Sequence, residues 1–328
     1  MHAGLNEREP RLKSHLGCDF QLPTTAAGRE GKVVTARCPA KINWTLRVLG
    51  RRPDGYHELE SLVSPVTLYD ELQFTPRAEP GVRLECDVPG VPTDESNLIV
   101  KAARRLAEIA GIRSGLACRL SKRIPVGGGM GGGSSDAAGT LMALSRFWGL
   151  KLTAERLANL AADLGSDVPL FLAGGPVLMS GRGERIEPVE LAWQGWVALV
   201  FPRVSVSTAA VFKAWTPPET EKNPPQPPLV RGGRAVASLS RGEKSVGAVE
   251  WMEQTFNMLE RPAFAVCPLL GELVERLRPM ADRQVRVSGS GSTLFTAFDE
   301  EGEAERFAAR VRSELALAAG VVRPITRE

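Results

Sequence analysis

The chain holds 328 residues, 43% of them hydrophobic and 24% charged, with a formal charge of +3. Such a length suggests about two domains of ordinary globular composition, and so slight a charge leaves no electrostatic footprint for nucleic acid or a membrane surface. No apolar run approaches the ~18 residues of a membrane span. Five scattered cysteines (Cys18, Cys38, Cys86, Cys118, Cys267) without a C-x-x-C pair read as reduced thiols in a cytoplasmic protein. The three histidines are too few for a His-built metal site or a Ser-His-Asp triad.

Residues 1–31 lack periodicity, an apolar h-region and the acid-poor composition of a transit peptide, and are expected to form a disordered tail. From Lys32 the pattern changes. After Pro39 the chain alternates, with Ile42, Trp44, Leu46 and Val48 on one strand face and Lys41, Asn43, Thr45 and Arg47 on the other. Taken alone, that polar face reads as solvated. A P-D-G turn precedes Tyr56 and His57, and strands are expected near 59–75 and 82–88. Asn97 caps a helical pattern that stops at Gly111, and L-A-C-R-L-S-K-R-I then alternates as a strand.

That strand runs into P-V-G-G-G-M-G-G-G-S-S-D-A-A, Pro125 to Ala138. Glycines free the backbone of Cβ atoms, so N–H groups can turn inward around an anion. Ser134, Ser135 and Asp136 suit an N-cap, and Leu141, Leu144, Phe147 and Trp148 continue at helical spacing. A glycine loop feeding a helix start is a phosphate site, here for a nucleotide triphosphate. It is not a Walker A loop, since no Gly-Lys-Ser/Thr closes it, and its G-x-G-x-x-G lacks the following acidic ribose partner. A plain Gly/Ser linker would not end in a capped amphipathic helix.

Thr153 caps a short helix ended by Gly165, and G-S-D-V-P follows, where Asp167 by itself reads as an N-cap. Residues 176–201 suggest a hairpin and an apolar strand, and 217–248 a mobile Pro/Gly-rich insertion. Helices are expected at 249–260, 268–278 and 303–318, with V-R-V-S-G-S-G-S-T-L-F-T-A-F as strand, glycine turn and strand. Two strand-containing halves, each with helices, give an α+β pair of domains.

Three motifs thus stand in order: P-A-K-I-N, the doubled glycine loop, and S-G-S-G-S-T-L-F. This order resembles the GHMP kinase superfamily of small-molecule kinases. P-A-K-I-N-W-T-L, P-D-G-Y-H-E-L, N-L-I-V-K-A-A and G-S-D-V-P are similar to the branch whose acceptor is a cytidine-diphosphate-linked methylerythritol. The likeness covers about residues 33–320 apart from 217–248. It implies an N-terminal ATP-binding domain (32–190) built on a ribosomal-protein-like βαβ unit with a left-handed crossover. A C-terminal ferredoxin-like α/β sandwich domain (191–328) would follow. It further implies ATP and Mg²⁺, and phosphorylation of an acceptor 2-hydroxyl in the non-mevalonate route to isoprenoid precursors. The same βαβ topology occurs in a ribosomal protein domain, but the near-neutral charge argues against an RNA-binding module.

Carried onto this sequence, the resemblance makes Lys41 and Asp167 the catalytic pair. It makes Pro125, Val126, Gly127, Gly128, Gly129, Met130, Gly131, Gly132, Gly133, Ser134 and Ser135 the triphosphate loop, with Ser135 as a metal-side hydroxyl. Asn97 and Lys122 fall near the adenine and ribose. Tyr56, His57, Thr208 and Phe212 fall on the cytidine-diphosphate pocket, Tyr56 and Phe212 sandwiching the base, with Asn43 near the erythritol. Met130 stands where Leu is usual, and Asn257-Met258, where an Asn-Asp pair is common, has no assigned role. The implied partner is a small molecule, with no nucleic acid or membrane, on a monomer or weak homodimer.

Overall fold

The computed structural model describes residues 33–191, 193–217 and 247–327, together with the backbone of Phe20–Gln21. In chain order the first half runs β1 (Phe20–Gln21), β2 (Val34–Asn43), β3 (Thr45–Arg51), β4 (His57–Arg77), β5 (Val82–Cys86), α1 (Leu98–Ala110), β6 (Gly115–Ser121), α2 (Gly132–Phe147) and α3 (Ala154–Leu164). A 3₁₀ turn at Pro169–Leu172 leads to β7 (Val177–Gly181) and β8 (Arg185–Pro188). The second half runs β9 (Trp196–Phe201), α4 (Thr208–Ala214), α5 (Ala248–Gln254), β10 (Phe256–Asn257), α6 (Glu260–Val266), α7 (Pro268–Ala281), β11 (Arg286–Val287), β12 (Leu294–Phe298), α8 (Glu301–Leu315) and β13 (Ala318–Val322).

The 21-residue β4 is the spine of the first sheet. Along one edge it pairs antiparallel with β2 and β3, which follow each other nearly end to end around Trp44. Along the other it pairs with β6 and β7, so both edges are satisfied over most of its length. β5 adds parallel to β6 across helix α1, a β-α-β unit. Pro39 lacks an N–H, and the β2–β4 register shifts between Pro39 and Ala40, a bulge two residues before Lys41. The second sheet is antiparallel, in the order β11-β12-β9-β13. Two sheets carrying helices make this an α+β chain, as expected.

Local signals set several boundaries. The Asn97 side chain accepts the Ile99 N–H and Gly111 ends α1 at φ 63°, while Thr153 caps α3 through the Arg156 N–H. Helix α2 begins earlier than expected, with Gly131 at the N-cap and no side-chain cap, so Ser134, Ser135 and Asp136 lie inside the helix. The pattern read as a helix over 249–260 ends at Gln254. Thr255 turns extended with its hydroxyl on the Met252 carbonyl, and Phe256–Asn257 then pair parallel with Thr45–Leu46. The strand at 318–322 carried no alternation and was not anticipated. Within the expected tail, Phe20–Gln21 pair with Thr35–Ala36, and the remainder of 1–31 lies outside the described residues. So do 218–246 of the expected insertion, whereas its last residue, Ala248, already begins α5 and is buried.

The alternating strand joins the two halves. Ile42 and Trp44 enter a core shared with Trp193, Trp251 and Phe295, where Trp44 meets those three rings edge-on at 5.3–5.7 Å. Leu46 and Val48 enter the core of the second half. The opposite face is not solvated: Lys41, Asn43, Thr45 and Arg47 are all buried. A solvated face was the wrong expectation because the second half covers it.

Candidate active site

The glycine loop takes its shape from alternation. Gly127, Gly129 and Gly131 have φ of 70°, 73° and 69°, the left-handed values only glycine adopts cheaply. Glycines at alternate positions with that sign leave successive N–H groups free to point to one side. Two close approaches also exclude side chains. A Cβ on Gly129 would lie 2.3 Å from the Ser288 carbonyl oxygen, and one on Gly131 would lie 2.9 Å from the Phe171 ring and 3.2 Å from Lys41 Cγ. The Met130 side chain, expected to replace Leu at little consequence, is buried in the shared core. The first intrahelical bond of α2 runs from the Ser135 N–H to the Gly131 carbonyl, at 2.9 Å. The N–H groups of Gly132, Gly133 and Ser134 are therefore the unpaired donors of a helix start, on the positive end of the dipole.

Lys41 is fixed against this loop, its own N–H donating to the Met130 carbonyl at 3.0 Å. Its ammonium donates to Asn43 Oδ1 at 2.5 Å, and Asn43 Nδ2 donates to Ser61 Oγ at 2.8 Å. Asn43 was expected to lie near the acceptor. Both ends of its buried amide are instead engaged, which makes it the residue that orients Lys41. Burial lowers the Lys41 pKa and the negative charge of Asp167 opposes that fall. Asp167 does not cap the 3₁₀ turn, whose N-cap is Val168. Among the described residues its carboxylate has neither a hydrogen bond nor an ion pair. It lies beside Gly183, where a Cβ would come within 3.5 Å of Oδ1. Lys41 is thus held against the loop, and Asp167 is near enough for its charge to act on the Lys41 ammonium.

The glycine turn of the second half closes this end. Ser288 Oγ donates to the Gly129 carbonyl and accepts from the Asn43 N–H, both at 3.3 Å, and the Thr293 N–H donates to the Gly128 carbonyl at 3.2 Å. Asn257 acquires a role here. Its Nδ2 donates to the Val287 and Gly289 carbonyls at 2.9 and 2.7 Å, and its Oδ1 accepts the Leu259 N–H. A buried amide holding three backbone groups fixes the turn that braces both the loop and Lys41.

Lys122 and Asn97 do not present free groups for a ribose or adenine. The Lys122 ammonium is bound to Asp70 and, at 3.2 Å, to Asp136, with its side chain only 7% exposed. Burial alone would lower its pKa, and the Asp136 and Asp70 charges outweigh burial and raise it. Asp70 also accepts the Arg123 and Ile124 N–H groups, so this ion cluster pins the chain as it enters the loop. Asn97 gives its carbonyl to the helix cap and its Nδ2 to the Pro92 carbonyl. Of the hydroxyls in the first turn of α2, Ser135 Oγ is buried with no partner, as is Asp136 Oδ1.

Tyr56, His57, Thr208 and Phe212 come together as expected, lining one cavity of about 720 Å³ that reaches Ser166, next to Asp167. Their arrangement differs from the expected sandwich. Phe212 stacks on His57, with ring centroids 5.0 Å apart and planes at 27°, while Tyr56 is 56% exposed beneath the Arg182 guanidinium. Thr208 Oγ1 is 2.8 Å from Ser290 Oγ, which ties the cavity wall to the glycine turn. Trp215, edge-on to His57 at 5.5 Å, was missed. Its signal was an aromatic one helical turn beyond Val211, just before the proline-rich stretch. Burial and the neighbouring charge of Arg51 lower the His57 pKa, which favours the neutral ring.

Residues 97–175 match the GHMP kinases N terminal domain and residues 247–317 the GHMP kinases C terminal model. The 4-diphosphocytidyl-2-C-methyl-D-erythritol kinase of Paramagnetospirillum magneticum is 40% identical over 275 residues, 83% of this chain and 92% of the relative. That of a Geobacter species is 38% identical over 287 residues, 88% of this chain and 97% of the relative. A solved 4-(cytidine 5'-diphospho)-2C-methyl-D-erythritol kinase shares the fold with a TM-score of 0.72 at 35% identity, covering 88% of this chain and 98% of its own. Homoserine kinase from Cytophaga hutchinsonii, at a TM-score of 0.67 and 17% identity over 94% of this chain and 98% of its own, is alike in fold alone.

Proposed function

The chain belongs to the 4-diphosphocytidyl-2-C-methyl-D-erythritol kinase family of the GHMP kinases, and on that basis we propose that it transfers the γ-phosphoryl group of ATP to the 2-hydroxyl of 4-diphosphocytidyl-2-C-methyl-D-erythritol, in the cytoplasm. The observation that supports this reading is the packing of Lys41 against the glycine loop, within reach of the Asp167 charge, with an aromatic cavity that extends to Ser166. Phosphoryl transfer asks a protein for positioning and charge stabilisation more than for covalent chemistry. Those parts supply both.

In this mechanism the loop N–H groups and the start of α2 cradle the triphosphate of the bound nucleotide. Asp167, whose carboxylate has no competing donor among the described residues, accepts the proton of the acceptor hydroxyl. Lys41 stabilises the developing alkoxide, and Asn43 fixes the direction of its ammonium. The ring wall of His57, Phe212 and Trp215 supports the base, with the exposed Tyr56 on the same cavity. The Ser135 hydroxyl, buried and unpartnered among the described residues, would help hold Mg²⁺, which would supply charge neutralisation for the nucleotide phosphates.

Incubation with ATP, Mg²⁺ and a panel of alcohols, followed by ADP release, tests the assignment. The cytidine-linked acceptor should be turned over while mevalonate and homoserine are not. Turnover of either of those, with none on the cytidine-linked alcohol, would reject it.

A further inference from the structure

Three cations reach the acceptor cavity from separate elements: Arg51 at the end of β3, Arg182 in the β7–β8 turn and Lys213 in α4. Among the described residues no carboxylate shares the lining. Neighbouring cations on the same surface are matched, Arg52 by Asp54 and Glu58, and Arg185 by Glu58 and Glu184. Arg182 keeps Glu184 at 4.0 Å and lies 5.2 Å over the Tyr56 ring. Arg51 and Lys213 differ from all of these, for neither has an ion pair or a side-chain hydrogen bond among the described residues.

Unmatched like charges on the walls of one concave space raise its potential, and an anion entering it relieves them. Much of the rest of the wall is ring surface, with His57 stacked on Phe212 and edge-on to Trp215. A ring and an anion on one molecule would satisfy both parts of the cavity. We propose that Arg51 and Lys213 are the groups that read the diphosphate of a nucleoside diphosphate acceptor whose base lies on the His57, Phe212 and Trp215 wall. This rests on the acceptor assignment above and adds the residues that recognise its anionic arm. They would distinguish a diphosphate-linked alcohol from an uncharged nucleoside through charge-assisted contacts, which are stronger than neutral hydrogen bonds.

Calorimetric titration of the full chain with cytidine, CMP and CDP tests this, with the glycine loop first saturated by ADP. The wild-type protein should bind CDP about 10-fold or more tightly than cytidine, a preference that shrinks with added salt. In Arg51→Gln/Lys213→Gln the preference should fall to within about 3-fold while cytidine affinity is kept, which a general folding defect would not allow. Removing two cations outside the cavity, Arg104→Gln/Arg105→Gln, should leave the preference intact. Equal wild-type affinities for cytidine and CDP, or a preference that survives in the double variant, would overturn the role of Arg51 and Lys213 and leave the acceptor assignment standing. Failure of all three cytidine ligands to bind would overturn that assignment and this proposal together.

Discussion

Lys41 in β2 and Tyr56 in the turn that leads into the adjacent β4 are held in opposite ways. Lys41 is 6% exposed, hydrogen-bonded to Asn43, and pressed against a loop that is itself tied to the second half through Ser288 and Thr293. Tyr56 is 56% exposed and meets the rest of its cavity through a guanidinium and open space. The loop end presents dipoles held in place by the second half, and dipoles that need not reorganise stabilise charge well. The cavity end is walled by the His57, Phe212 and Trp215 rings and left open at the exposed Tyr56. A braced end and an open end thus stand side by side in one molecule.

The contrast is broken most sharply at Asp167. Replacement by Asn would remove the proposed base but no packing, so kcat should fall by about 10²–10⁴ while nucleotide affinity is retained. Steady-state kinetics beside nucleotide titration would check this, and near-normal turnover would reject the role. Gly129→Ala attacks the rigidity itself. Its Cβ would sit 2.3 Å from a backbone oxygen at a φ of 73°, so a loss of about 2–5 kcal/mol of stability is expected, read as a lower Tm with weakened ATP binding.

At the open end effects should be milder. Phe212→Ala removes a stacking face and the support of His57, and should weaken binding of the cytidine substrate by about 1–3 kcal/mol with the ATP KM unchanged. The smallest effect concerns pH. Burial raises the Asp136 carboxyl to about 7, ahead of the opposing pull of Lys122. A raised folded-state pKa contributes stability that is complete below the usual aspartate range and lost as pH rises through that value. The raised pKa of Lys122 lies above this window and does not offset it. Chemical denaturation across about pH 4 to 8 should show the stability of the wild type relative to Asp136→Asn falling as pH rises, and a difference independent of pH would reject the assignment.

Reading the chain alone gave the glycine loop, the Asn97 and Thr153 caps and the order of most elements. Each depends on a few adjacent residues whose backbone preferences point the same way. Where neighbours conflicted the reading failed. Phe256–Asn257 continued an apolar pattern but became a strand, because the edge of β3 offered parallel partners. Lys122 looked available for a ligand and is instead bound by Asp70, 52 residues earlier.

Alternation along one strand already placed Lys41 and Asn43 on a common face, since side-chain direction there follows from the period of two. That the face would be buried, that Asn43 would serve Lys41, and that Ser288, 245 residues away, would brace both could come only from the packed chain. Cap and turn preferences act through a few bonds and are written locally. Burial and charge pairing act through space, between groups that become neighbours only when the two halves close on each other.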